Sequence, residues 1–201
     1  MSDLRFSATC LCTLGVLAGL SSGASGTPQR FPVVVAPGPL GMSGPGFRAA
    51  MELLGIQVDQ YTYSVPFTHG ISLRAEVWQG GTRETLARME LSPLLPGTQV
   101  IAVATRESGS ALELAFRCGP AEAVGEPGSS GSARARPIPL GERRGRTRGC
   151  PGSARLVAGT EIPLWVFGAG DSVSSIRTAE TIDDYAKRTD LVVVVYVTLL
   201  G

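Results

Sequence analysis

The side chains able to do acid–base, nucleophilic or metal chemistry are few and scattered. The chain has one histidine, His69, within the turn-like string Pro66-Phe67-Thr68-His69-Gly70, and four cysteines, two of which lie in the first twelve residues. A zinc site needs about four nitrogen or sulfur ligands at close spacing, and one histidine with no Cys-x-x-Cys does not supply them. Glu76, Glu90 and Glu113 would be the carboxylates of a glycosidase pair, but each falls on the polar positions of an alternating strand, where a solvated charge is the expected state. Asp183-Asp184 with Glu180 and Asp190 offers oxygen ligands for calcium without the Asp-x-Asp-x-Asp-Gly order, and an acidic helix start after Thr181 accounts for the pair equally well. The glycines from Gly38 to Gly46 lack a following Gly-Lys-Ser/Thr, so they form no phosphate loop. No catalytic residue, metal or cofactor is assigned.

Two sets of residues point to binding instead. From Arg134 to Arg155 there are seven arginines against Glu142. Arg143, Arg144, Arg146 and Arg148 are the densest part and the candidate site for an anionic surface polymer, since clustered cations release counterions from a polyanion. A solvated loop folded back on an acidic body is the competing explanation, because Lys187 is the only lysine and arginine serves everywhere else in this chain. No aromatic residue lies in that stretch to stack on bases, which argues against nucleic acid. Trp78 and Trp165, with Tyr61 and Tyr63 nearby in the strand pattern, are candidates for a carbohydrate-stacking face.

The string Leu164-Trp165-Val166-Phe167-Gly168-Ala169-Gly170-Asp171-Ser172 is a strand running into Gly-Asp-Ser. It resembles the nucleophile block of the Gly-Asp-Ser esterase and lipase family, in which the serine opens the first strand-to-helix turn of an α/β domain. The resemblance implies Ser172 as nucleophile. It covers nine residues and departs from the family in two respects: the block stands near the C-terminal end of the sequence, and the family's Asp-x-x-His pair is missing. A serine needs a base, and His69 lies far upstream.

The elements that would position these residues come next. Residues 1–24 read as a secretory signal peptide, with Arg5, an apolar stretch from Phe6 to Leu20 and small residues at Ser22-Gly23-Ala24; an uncleaved N-terminal membrane anchor is the alternative. Export would leave Cys118 and Cys150, an even pair expected to form one disulfide. A Pro/Gly-rich tether follows over 25–46, with one edge strand at Val33-Val34-Val35, and a single β-rich domain occupies 47–201. Phe47, Ala50, Met51 and Leu54 have helical spacing. Ile71, Leu73, Ala75 and Val77 alternate with polar residues and make a hairpin with Ala87, Met89 and Leu91 across Gly80-Gly81. A second hairpin joins 100–105 to Leu112, Leu114, Phe116 and Cys118 across Ser108-Gly109-Ser110. Ile56 and Val58 are out of phase with Tyr61, Tyr63 and Val65, which predicts a bulge near Asp59-Gln60. Leu164–Phe167 and Leu191–Leu200 are further strands, the last apolar enough for a central, doubly covered position. Val173, Ile176, Ala179, Ile182 and Tyr185 recur every third residue, as in a helix. Residues 119–155 read as a flexible basic insertion.

About seven or eight strands joined by short turns predict an all-β, mainly antiparallel sandwich or open barrel with one or two short helices. The net charge of +1 gives the whole molecule no reason to seek a polyanion. The expected role is an exported, non-catalytic β-sandwich module of the cell envelope, structural or ligand-binding, whose partner is an anionic surface polymer or another envelope protein. The alternatives are an envelope hydrolase using Ser172 or paired carboxylates, and an assembly subunit pairing through an exposed edge strand, with Leu191–Leu200 as the segment in question.

Overall fold

The computed structural model describes residues 33–37, 51–121, 130–143, 145–149, 154–171, 173 and 180–200. Period-two patterning dominates these residues, and they form two antiparallel sheets packed face to face. In chain order the strands are β1 (Val33–Pro37), β2 (Ile56–Val65), β3 (His69–Gln79), β4 (Thr82–Leu94), β5 (Gly97–Ser108), β6 (Ala111–Pro120), β7 (Gly131–Arg134), β8 (Ile138–Pro139), β9 (Gly145–Gly149), β10 (Ala154–Leu156), β11 (Glu161–Gly170) and β12 (Leu191–Leu200). The larger sheet runs β10-β1-β2-β5-β6-β7, with β8 also on β6; the smaller runs β4-β3-β12-β11-β9. One helix, α1 (Ile182–Lys187), lies in the connection from β11 to β12.

The core follows from the alternation. Odd positions of β2, β3 and β5 (Tyr61 and Tyr63, Ile71 and Leu73, Ile101 and Val103) and even positions of β6 (Leu112, Leu114, Phe116, Cys118) meet between the sheets, all nearly solvent-free. Each such side chain contributes about 1.5–3 kcal/mol by leaving water. The β3–β4 hairpin turns at Gly80-Gly81, with φ of +57° and +77°, a left-handed pair that suits the right-handed twist of the strands and that β-carbon-bearing residues resist. β12 is the middle strand of its sheet and is apolar on both faces: Val193, Val195 and Val197 look into the core, while Val192, Val194 and Tyr196 pack with Val166 beneath Tyr185 of α1. A continuous Val run is what such a position requires.

Four expectations change. β2 pairs with β5 in unbroken register from Ile56↔Arg106 to Val65↔Gly97, so there is no bulge at Asp59-Gln60. Ile56 and Val58 instead stand half-buried on the outer face, where small neighbours such as Ala102 and Ala104 of β5 leave that face flat. The basic insertion is narrower than its composition implies: β7, β8 and β9 fall within 119–155 and β10 begins there, held by sheet hydrogen bonds and by Ile138 and Leu140 buried in the core. Residues 122–129, 144 and 150–153 lie outside the described set. The predicted helix around 173–185 is not continuous: Glu180 and Thr181 are non-helical and α1 starts at Ile182, where Thr181 caps it by accepting from the Asp184 N–H, while Ile176 and Ala179 lie outside the described residues. β12, finally, has β3 on one side and β11 on the other, so it is no exposed edge for assembly. The signal segment and most of the tether lie outside the described residues, and among those described no helix is long and apolar enough to cross a membrane.

Candidate functional site

The β3–β4 hairpin tip, the turn after β8, the end of β11 and α1 come together at one end of the smaller sheet around an open cleft of about 1320 Å³. The hairpin supplies Trp78 and Arg83, the turn Glu142 and Arg143, the end of β11 Asp171, and the α1 side Asp183, Lys187 and Asp190. Three cations and four carboxylates thus face one space. Asp190 reaches back to accept the Asp171 N–H at 3.2 Å, and this carboxylate lies over Gly170, where a β-carbon would come within 2.8 Å of it. Gly168 is more constrained, because a β-carbon there would overlap the Tyr185 hydroxyl. The glycines of Gly168-Ala169-Gly170 are therefore explained by the close approach of α1 and Asp190 to the strand.

Arg83 is held from behind. Its Nε donates to Glu76 at 2.6 Å, its guanidinium lies 4.9 Å over the Trp78 ring, and Glu76 also takes Arg74 at 3.0 Å. Arg74 bridges onward to Glu161 at 2.5 Å and lies 5.6 Å over Tyr196. Glu76 is only 2% exposed, so the expectation of a solvated charge fails at this position: the outer face of β3 is covered by its own guanidinium–aromatic stack. The Glu76 hydrogen bond raises Arg83 further above its ordinary pKa, and burial pushes the Tyr196 phenol up to about 12.

The other carboxylates singled out by sequence are also engaged. Glu113 receives both Arg106 and Arg134 at 2.8–2.9 Å, and these bonds, Arg106 first, hold its pKa below the usual range. Glu90 pairs with Arg88. Asp184 binds Lys187 and Thr181, while Glu180 takes Arg188, so these acids serve the helix and its flank. No group of three metal-binding side chains occurs among the described residues.

The arginine candidates separate. Arg143 lines the cleft and donates to Leu140 O at 3.0 Å. Arg146 and Arg148, on β9, face the interior at the mouth of the sandwich, where they meet Glu107 at 3.3 Å and Asp59 at 3.1 Å beside a cavity of about 220 Å³. Arg144 lies outside the described residues. Of the two tryptophans, Trp78 lines the cleft, but Trp165 is fully buried, donates its indole N–H to Asp59 at 2.8 Å and stacks on Phe167, so it has no face open to a sugar.

His69 and the strand leading to Gly-Asp-Ser lie at opposite ends of the smaller sheet. Ala169 is level with Leu191 and Gly70 with Leu200, nine residues along β12, which at about 3.3 Å per residue is roughly 30 Å. His69 instead joins a buried polar group: Nε2 lies 3.3 Å from the Tyr63 hydroxyl, which is 3.9 Å from Cys118 Sγ, and Nδ1 donates to Phe67 O at 3.2 Å. Burial lowers the His69 pKa, raises that of Tyr63 and pushes the Cys118 thiol up to about 11. Cys118 is a free thiol here, and its expected partner Cys150, like Ser172, lies outside the described residues. β11, moreover, pairs antiparallel on both sides, unlike the first strand of an α/β hydrolase.

No family model, curated protein or solved structure matches this chain. The residues that line the cleft were legible one at a time but not as a set. Arg83 carried no signal beyond its place near the end of a hairpin; the Gly80-Gly81 turn and the strand running into Gly170-Asp171 were the sequence features that located strand ends here.

Proposed function

We propose that this chain is an exported, non-catalytic β-sandwich module of the cell envelope that binds a polar, charge-bearing surface polymer in the cleft at the end of its smaller sheet. The observation that carries this is the cleft itself, larger than the 300–1000 Å³ typical of small-molecule pockets, with Trp78 and three cations opposite Asp171, Asp183 and Asp190. Acidic or amino substituents of such a polymer find counter-charges on the two walls, and the Trp78 indole, with Arg83 over one face, borders the space. The hydrolase alternative gains nothing from the geometry: Glu76, Glu90 and Glu113 are each locked to arginine, and His69 is a sheet-length from the Gly-Asp-Ser string.

Because Trp165 is buried and Trp78 lines the cleft, the Trp165→Phe variant reports on the site alone. Titration with a uronic-acid oligosaccharide is expected to give a saturable change in its emission that Arg143→Ala weakens. Emission unchanged to millimolar oligosaccharide overturns the proposal.

A further inference from the structure

The end of the sandwich opposite the cleft carries a different surface. Two connections there cross side by side from sheet to sheet, Pro66–Thr68 between β2 and β3 and Leu95–Pro96 between β4 and β5, because Val65 pairs with Gly97 and His69 with Leu94. Their tips are apolar and exposed, Phe67 at 42% and Leu95 at 66%. The stretches that build them, Gln60–Leu73 and Leu91–Thr105, contain no Asp, Glu, Lys or Arg. A third turn, after β10, presents Val157 at 47% at the same end, where Leu156 pairs with Val33. Leu53 and Leu54 are exposed as well, but at the cleft end, next to residues outside the described set.

The Phe67 and Leu95 tips are stiff. Pro66, Pro93 and Pro96 fix their backbones, and the Phe67 ring rests edge-on against buried His69, whose Nδ1 donates to Phe67 O. Three exposed apolar tips, two of them on stretches without a formal charge, offer no charge pattern to match a folded partner and fit a surface that deforms around them. The chain also enters the sandwich at this end. β1 runs antiparallel to β2, with Pro37 opposite Tyr61 and Ala36 opposite Thr62, so Val33 starts level with the Phe67 turn. On the alternative in which Phe6–Leu20 stays as an uncleaved anchor, only twelve residues separate Val33 from Leu20, a reach of at most about 40 Å. Arg155, exposed on β10 two residues before Val157, stands where a lipid phosphate would meet it.

From these we infer that the Phe67–Leu95–Val157 end is a membrane-docking surface, whose apolar tips enter the interfacial region of a phospholipid bilayer and leave the cleft facing away from it. Binding of this kind scales with buried apolar area and responds weakly to salt.

The test uses the full chain with phosphatidylcholine vesicles brominated along the acyl chains. Phe67→Trp and, separately, Leu95→Trp place a reporter at each tip, and contact with the acyl boundary quenches it. Strong quenching is expected in both variants, at low and high salt, with little in the parent chain, whose Trp165 is buried and whose Trp78 lies at the far end. Flotation of the Phe67→Ser/Leu95→Ser double variant separates tip contact from any contribution of residues 6–20: the apparent partition coefficient should fall about tenfold. Quenching no greater than in the parent overturns the inference. So does a concentration-dependent dimer that the double variant abolishes without lipid quenching, since the tips would then cover each other.

Discussion

At one end of the sandwich three cations and four carboxylates surround Trp78; at the other, two adjoining turns carry no formal charge and end in Phe67 and Leu95. Both ends are built from the same strands and the same interior. The difference lies in what secures each. The charged end is closed by side chains from separate segments, Tyr185 over Gly168 and Asp190 over Gly170, whereas the apolar end depends on prolines and one buried histidine close by in the chain. A surface needing several fixed charges must be assembled from distant segments, while an apolar tip needs only a stiff turn.

The largest expected effect is at Glu76. Replacing it by Ala removes the carboxylate that Arg74 and Arg83 share and leaves them Glu161 alone, and the loss should be about 3 kcal/mol, at the low end for a broken buried pair because Arg74 and Arg83 are 28% and 45% exposed. Chemical denaturation measures it, and the same variant should shift Trp78 emission as Arg83 leaves the ring. An unchanged Trp78 spectrum would mean that the stack does not depend on Glu76.

Next comes Gly168. Gly168→Ala forces the Tyr185 hydroxyl away from the strand and should cost about 2 kcal/mol, in the range for overpacking. Tyr185→Phe in the same chain removes the nearer of the two clashing atoms, leaving the ring carbon at 3.0 Å, so thermal melts should show partial rescue. Full additivity of the two changes would break the claim that this glycine exists to admit α1.

How much of this was legible beforehand follows the range of the interactions. The inward sets of β3 and β6 and the glycine turn between β3 and β4 were plain, because alternation and turn residues act within a few positions. The doubly covered β12 was plain too, since seven of its ten residues, from Leu191 to Val197, are apolar in an unbroken run. Ile56 and Val58 misled, because an apolar residue signals burial only where the opposite face is already known. The strands within 119–155 were hidden for a related reason: β7 and β9 add to existing sheets through main-chain bonds, and Arg134 and Arg148 find carboxylates on β6 and β2, partners that no local pattern shows. Trp165 was misread likewise, since its partner Asp59 comes from elsewhere in the chain; Glu76 was misread because Arg74 and Arg83 of its own hairpin fold over it, which alternation alone does not show.

The apolar end is more sensitive to acid. Burial lowers the His69 pKa below its ordinary 6.5, so in mildly acidic solution the unfolded chain takes up a proton that the folded chain refuses. Stability is therefore full above about pH 6.5 and falls as pH drops from there toward the folded pKa, by at most about 1.4 kcal/mol per pH unit. Between pH 6.5 and 5 this is distinct from Glu113 and Asp184, whose ordinary values are 4.5 and 3.8 and which are lowered further. Melting temperature over that window should fall in the parent and stay flat in His69→Gln; parallel slopes would remove His69 as the cause.

The smallest expected effect sharpens the charged end. If Arg143, Arg146 and Arg148 acted as one basic patch, replacing any of them by Ala would lower heparin retention alike. Arg146 and Arg148 already face Glu107 and Asp59, so each has a carboxylate to release before it can serve a polyanion, whereas Arg143 donates to the main-chain carbonyl of Leu140 and opens on the cleft. Arg143→Ala should therefore elute at measurably lower salt, and Arg146→Ala and Arg148→Ala close to the parent, with their cost appearing instead as a loss of roughly 0.5 kcal/mol in stability. Equal retention losses at all three would show that the ion pairs at the sandwich mouth open readily, and the basic surface would then extend from the cleft across β9.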